Sequence, residues 1–249
     1  MPLAKRSGGP AGELPTGEAF RGEWIDFDRG IRVGHLEPHE RITQILKFHL
    51  EQRYRTPFVT DRWGRGVYWQ WICWLPRANR EAMPQSHDVN FGCAKLFITA
   101  RHEQRIFQSG LQVERGYVTG PEADRPWGLR DDWDWHRLMR QCRAGTPFES
   151  ELVRLVKREG FVAAAVGDPA AFADFSRKNF DSIGQVRRAL TALPSRQWGG
   201  FQLYYPMPEA EVRECSGYEL VKAVTGVFDE VVGAMNACMQ VPLEPADRR

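Results

Sequence analysis

The sequence predicts an α+β fold: a mainly antiparallel sheet with helices packed on one face, in a single compact domain. Three observations carry this. Residues 91–117 alternate Cys93, Lys95, Phe97 and Thr99 with Ala94, Leu96 and Ile98, break at a charged stretch, and resume with one face of Leu111 and Val113 and another of Gln112 and Glu114. Period-two alternation places successive side chains on opposite faces, the mark of a strand with one greasy and one wet side. Residues 67–75 (VYWQWICWL) supply a further strand ahead of that meander. Several segments with helical period and clear start signals flank these strands, an order that suits helices layered on a sheet.

In chain order, residues 1–22 are rich in Gly, Pro and charge and read as a flexible arm, with Trp24, Ile25 and Phe27 as its anchor. Pro38 opens a helix carrying Ile42, Ile45, Leu46, His49, Leu50 and Tyr54 on one face, which Pro57 ends. Residues 77–90 read as a long loop, and 131–143 as a helix with an acidic first turn. Thr146 to Glu149 combine a capping box with Pro147 at the first helical position. Residues 161–166 (FVAAAV) form a short buried strand. Asp168-Pro169 then predicts a helix with Phe172, Phe175 and Phe180 inward. A helix over 182–192, a strand over 201–205 and a last helix from Ser216 follow. The last carries a stripe of Leu220, Val221, Val224, Val227, Phe228, Val231, Val232 and Met235. Pro242 stops it, so the domain runs over 23–240 and 241–249 is a polar tail.

The 249 residues carry a formal charge of +2, so whole-molecule attraction to polyanions is weak and any nucleic-acid surface must be local. The five cysteines are odd in number and none form C-x-x-C, which argues against a disulfide framework or zinc knuckle and for a reducing, cytoplasmic setting. No membrane association is expected, because no apolar run approaches the length of a span. P-loop, Rossmann, H-E-x-x-H and G-x-S-x-G patterns are absent, which lowers the prior for the common nucleotide hydrolases, dehydrogenases, zinc peptidases and esterases, and no cofactor is expected.

The layout is similar to one known family. A helix leads to a Trp-bearing strand, then to Arg77, Asn79 and Arg80, then to His87-Asp88-x-Asn90-Phe91-Gly92 ahead of a hairpin. Near the C-terminus YYPMPEAEV (204–212) precedes the helix started at Gly217. This resembles the YktB-type family of uncharacterised bacterial proteins over residues 38–235. The resemblance implies one compact α+β domain and no catalytic residue.

The strongest functional composition lies in residues 53–80. They hold six arginines with one acid, Asp61, among Tyr54, Phe58, Trp63, Tyr68, Trp69, Trp71 and Trp74. Arginine forks suit phosphate and aromatic faces suit bases. The expected function is a binding module for an anionic aromatic ligand, a nucleotide or nucleic-acid segment. Arg62, Arg65, Arg77 and Arg80 would meet phosphate and Trp63 or Trp74 would stack. The plainer reading is packing: Val67, Trp69, Trp71 and Cys73 would point to the core, with Tyr68, Gln70, Ile72 and Trp74 on the other face. The alternative function is a metal-assisted hydrolase on Asp132, Asp134 and His136, weighed against ordinary helix capping by an acidic first turn. A third reading is an accessory domain whose exposed aromatics meet a protein partner. His87-Asp88-x-Asn90 reads as a turn sooner than an Asp-oriented base, and His49 as a core histidine.

Overall fold

The computed structural model describes residues 16–167 and 171–246. A small hairpin, β1 (Ile25–Asp26) and β2 (Gly30–Arg32), precedes helix α1 (Ile42–Tyr54). Strands β3 (Phe58–Arg65) and β4 (Tyr68–Pro76) lead to the short helix α2 (Arg77–Glu81), then to β5 (Lys95–Arg101) and β6 (Ile106–Glu114). Helices α3 (Asp134–Gln141) and α4 (Pro147–Lys157) follow, then strands β7 (Val162–Gly167) and β8 (Ala171–Phe175). The chain closes with α5 (Ile183–Ala192), β9 (Gly199–Pro208), α6 (Glu209–Glu214) and α7 (Gly217–Cys238).

The strands form one sheet in which every named strand pairing is antiparallel, so the α+β expectation holds. β3 takes one edge of β4. β2 and β5 share the other, β2 at Tyr68 and Trp69 and β5 from Trp71 to Trp74. The sheet then runs β5-β6-β9-β7-β8. β9 comes late in sequence but sits centrally, between β6 and β7, which closes the sheet through contacts distant in the chain.

Helices α1, α3, α4 and α7 contact one another or the sheet, and α7 packs directly on β6 and β9. A reciprocal cap closes its start at Ser216: the Ser216 hydroxyl accepts from Glu219 N at 3.2 Å and the Glu219 carboxylate accepts from Ser216 N at 2.8 Å. Leu220, Val224, Phe228, Val231 and Met235 are buried, while Val227 is only half-buried at the flank. Thr146 caps α4 through Glu149 N, but Glu149 returns its carboxylate to Gly145 N rather than to Thr146.

Several expectations are corrected. On β4 the faces are reversed: Ile72 and Trp74 point at the helices. Trp74 packs 5.9 Å from Phe228 and donates its indole N–H to the Thr43 carbonyl. The reason is register, since Ile72 lies opposite Ile98 and Trp74 opposite Leu96, both on the apolar side of β5. Asp168 and Pro169 lie outside the described residues, and the segment after them is strand β8, not a helix. Phe175 is buried and Phe172 is 49% exposed, which is the alternation of an edge strand against β7. α3 starts at Asp134 rather than Asp131, because Asp132 turns back to Gln85 and Ser86. Residues 1–15 of the expected arm lie outside the described residues. From Thr16 the chain packs: Phe20 is buried edge-on to Trp24, and Gly217 sits so close to the Phe20 carbonyl that no Cβ fits. The expected polar tail is held as far as Leu243, whose N–H and carbonyl both bond the Asn236 side chain. Residues 247–249 lie outside the described residues.

Candidate ligand cleft on the open sheet face

The face of the sheet turned away from the helices carries polar residues in rows set by strand register. Lys95, Gln112, Gln202, Ala164 and Asp174 form one row across β5, β6, β9, β7 and β8. Trp71, Thr99 and Gln108 form another across β4, β5 and β6. Above these rows lies a cleft of about 840 Å³, within the range of small-molecule sites. Its walls hold six aromatic residues: Trp63 and Trp71 from the β3–β4 hairpin, Phe91 before β5, Tyr117 and Trp127 after β6, and Trp198 before β9.

A bulge shapes the hairpin wall. Trp63 faces Trp71 but Gly64 faces Trp69, so Gln70 is the extra residue and both Gln70 and Trp71 line the cleft. The Thr99 hydroxyl takes the Gln70 carbonyl at 2.7 Å. Gly64 has a φ of 144° there, and a Cβ would press on the Trp69 backbone.

A buried ion pair fastens the other walls. Lys95 Nζ donates to the Glu114 carboxylate and to the carbonyls of Asn90, at 2.9 Å, and Phe91, at 3.5 Å. All three ammonium protons are thereby used, and the loop carrying Phe91 is pinned to the floor. Burial alone would lower the Lys95 pKa, but the Glu114 charge turns the net upward and keeps the ammonium charged. Burial lifts the Glu114 carboxyl; Lys95 opposes this, and the Trp198 indole N–H adds a weaker hydrogen-bonding contribution in the same sense. The next residue, Arg115, is buried and donates to the carbonyls of Leu193, Pro194, Gln197 and Gly116, holding the loop that bears Trp198. Adjacent positions on one strand end thus organise the Phe91 and Trp198 walls from beneath.

Not every polar group is satisfied. Gln202 donates to Gln112 Oε1 at 2.6 Å, but its own Oε1 is buried without a partner, and so is the Trp71 indole N–H. Orphaned buried donors and acceptors are costly in a plain core and suit a ligand-binding surface. The charged side chains lining the cleft balance: Arg62, Lys95 and Arg101 against Asp61, Glu114 and Glu122.

Of the residues singled out in the sequence, Arg62 and Trp63 line the cleft. Trp63 is 74% exposed at its mouth, and the Arg62 guanidinium lies 3.8 Å from the Trp69 ring centroid. Trp74 lies in the core on the opposite face and reaches no ligand from there. Arg65 and Arg77 are exposed away from the cleft lining, and Arg80 donates to the Asp88 carbonyl. Asp132, Asp134 and His136 each have protein partners. Asp132 accepts from Gln85 N and Ser86, Asp134 from Asn79 and Ala94 N, and the His136 ring lies 3.1 Å from the Arg130 carbonyl. Among the described residues no group of three or more His, Cys, Asp or Glu side chains is placed to hold a metal ion. The exposed large apolar side chains, Trp63, Val118, Val153, Phe172, Tyr218 and Val241, stand on separate elements. No helix among the described residues is long and apolar enough to cross a membrane. Sequence reasoning missed Lys95, Glu114, Gln112 and Gln202 as site residues. Their signal was polar side chains alternating through strands that must pair centrally.

Comparison with known proteins adds no relative: no family model, no curated protein and no solved structure matches the chain. The layout resemblance noted from the sequence rests on its quoted residues alone.

Proposed function

We propose that the protein binds a small planar aromatic ligand bearing an acidic group, with a mononucleotide as the representative class, in the cleft on the open sheet face. The observation that carries this is the pairing of six aromatic walls with a floor that keeps an unpartnered acceptor, Gln202 Oε1, and an unpartnered donor, Trp71 Nε1. Rings stack a planar ligand, and the orphaned groups orient its polar edge. Arg62 at the mouth has its guanidinium spread over Trp69, where it takes a carboxylate or phosphate on a stacked ligand. The balance of charge favours a small ligand over a nucleic-acid strand, whose binding rests on a run of cations along the backbone.

Tryptophan fluorescence titration with mononucleotides and aromatic carboxylic acids tests this. At least one probe should bind saturably, and Trp127→Ala should weaken it by roughly 5- to 150-fold, from about 1–3 kcal/mol per stacked ring. Arg77→Glu, outside the cleft, should leave affinity unchanged. Saturable binding by no probe, or equal loss in Arg77→Glu and Trp127→Ala, would refute the assignment.

A further inference from the structure

Beside the aromatic cleft the same sheet face continues into a polar compartment of about 330 Å³. It shares Gln70, Thr99, Arg101, Val166 and Gln202 with the cleft and adds Gln108, Asp174 and Tyr204. The register accounts for the continuity, since Gln202 sits between Gln112 of the cleft and Ala164 and Asp174 of the compartment. Tyr204 is only 5% exposed, yet its hydroxyl makes no hydrogen bond among the described residues. The hydroxyl oxygen is itself open to the compartment that Tyr204 lines, so it is free to meet a ligand. Arg101 uses only Nε, on Gln108 Oε1 at 3.2 Å, so the rest of its fork is open. Gln202 Oε1 is the buried acceptor without a partner described above. The Asp174 carboxylate stands at the rim with no side-chain hydrogen bond.

We infer that this compartment is a subsite for a hydroxylated, sugar-like part of the same ligand, with Arg101 and Tyr204 donating and Gln202 and Asp174 accepting. The inference rests on the aromatic reading of the neighbouring cleft. Hydroxyl groups donate and accept at once, so they satisfy a mixed set of this kind. A phosphate has acceptors only and would meet the carboxylates of Asp174 and Glu103 with repulsion. Burial, with Asp174 nearby, pushes the Tyr204 pKa up to about 12, in the direction that favours the protonated hydroxyl. The compartment adjoins the aromatic one through Gln202 and Thr99, so one ligand with a ring joined to a polyol spans both.

The test uses the full chain with free nucleobases, their ribonucleosides and their 2′-deoxyribonucleosides, read by calorimetry. A ribonucleoside should bind at least tenfold tighter than its base. Tyr204→Phe and Asp174→Asn should each cut that ratio threefold or more while leaving base affinity unchanged. The thermal midpoint of Tyr204→Phe should stay near wild type, because the hydroxyl makes no hydrogen bond to a described residue. Equal binding of base and nucleoside would overturn the subsite and leave the aromatic cleft standing. A ratio unchanged in both variants, or a midpoint several degrees lower in Tyr204→Phe, would also overturn it. No binding by any probe would remove the aromatic reading and the subsite with it.

Discussion

Lys95 and Glu114 show how much one pair of side chains can organise. Two charges on a sheet face cost desolvation, and that cost is offset only where geometry and extra hydrogen bonds satisfy both groups. Here the ammonium spends its protons on Glu114 and on the carbonyls that carry the Phe91 loop. Lys95→Met therefore strands a buried carboxylate and should destabilise the fold by about 3–5 kcal/mol. Lys95→Met combined with Glu114→Gln removes the stranded charge and should recover most of that loss in urea unfolding. Ligand affinity should stay low in the double variant, since nothing then pins the Phe91 carbonyl. Full recovery of both stability and binding would mean the pair positions no wall. The sequence displays Lys95 and Glu114 as alternating polar residues, but which of several such residues meet depends on the β5–β6 register, where Lys95 lies opposite Gln112.

At the scale of elements, the node around Asp134 holds α2, the start of α3, the start of β5 and the segment after α7 together. Asp134 accepts from Asn79 and from Ala94 N, both at 2.7 Å, and Asn79 Oδ1 in turn accepts from the Gln240 and Val241 N–H groups. Burial pushes the Asp134 pKa up to about 7, against the opposing effect of those hydrogen bonds, and its Oδ1 has no partner. The folded state thus binds this proton more tightly than the unfolded chain, whose value is near 3.8. Between those values the folded protein carries more protons, so its stability falls as pH rises from about 4 to 7 and levels above that. The ceiling on this effect is about 4 kcal/mol. Asp134→Asn should flatten the slope when urea midpoints are compared across pH 4 to 8. An identical slope in wild type and variant would assign the pH dependence to other groups. The acidic turn of residues 131–136 was visible in the sequence as a helix start with metal-ligand spacing. Its carboxylates at Asp132 and Asp134 accept from Asn79, Gln85, Ser86 and Ala94, partners distant in the chain that no local pattern shows.

For the molecule as a whole, the buried apolar residues form one continuous cluster from Phe20 to Leu243. Phe228 lies within it against Trp74, at the crossing of α7 and β4. Phe228→Ala should cost about 3–5 kcal/mol, the usual penalty for emptying a core phenylalanine site. The loss should appear as a shift of one cooperative transition, seen equally by far-ultraviolet circular dichroism and by fluorescence. Two transitions, or a wild-type midpoint, would contradict a single core.

The sequence by itself determined the class of fold and the position of most elements. Capping residues, helical period and strand alternation act over a few neighbours, so Ser216, Thr146, α7 and the β5–β6 hairpin were readable directly. It also pointed to the β3–β4 hairpin as the aromatic and basic face of interest, and Arg62 and Trp63 do reach the cleft. Only the tertiary structure decided which way β4 turns its tryptophans, because alternation specifies two faces without saying which one the helices cover. The same holds for β8, where the signals of Asp168-Pro169 favoured a helix but pairing with β7 along the sheet prevailed. The cleft itself could not be read in order along the chain. Its floor needs β9 inserted between β6 and β7, and its walls come from loops separated by more than a hundred residues, brought together by the Lys95–Glu114 pair and Arg115. Local propensity is a property of neighbouring residues, whereas a binding surface is a property of register and closure.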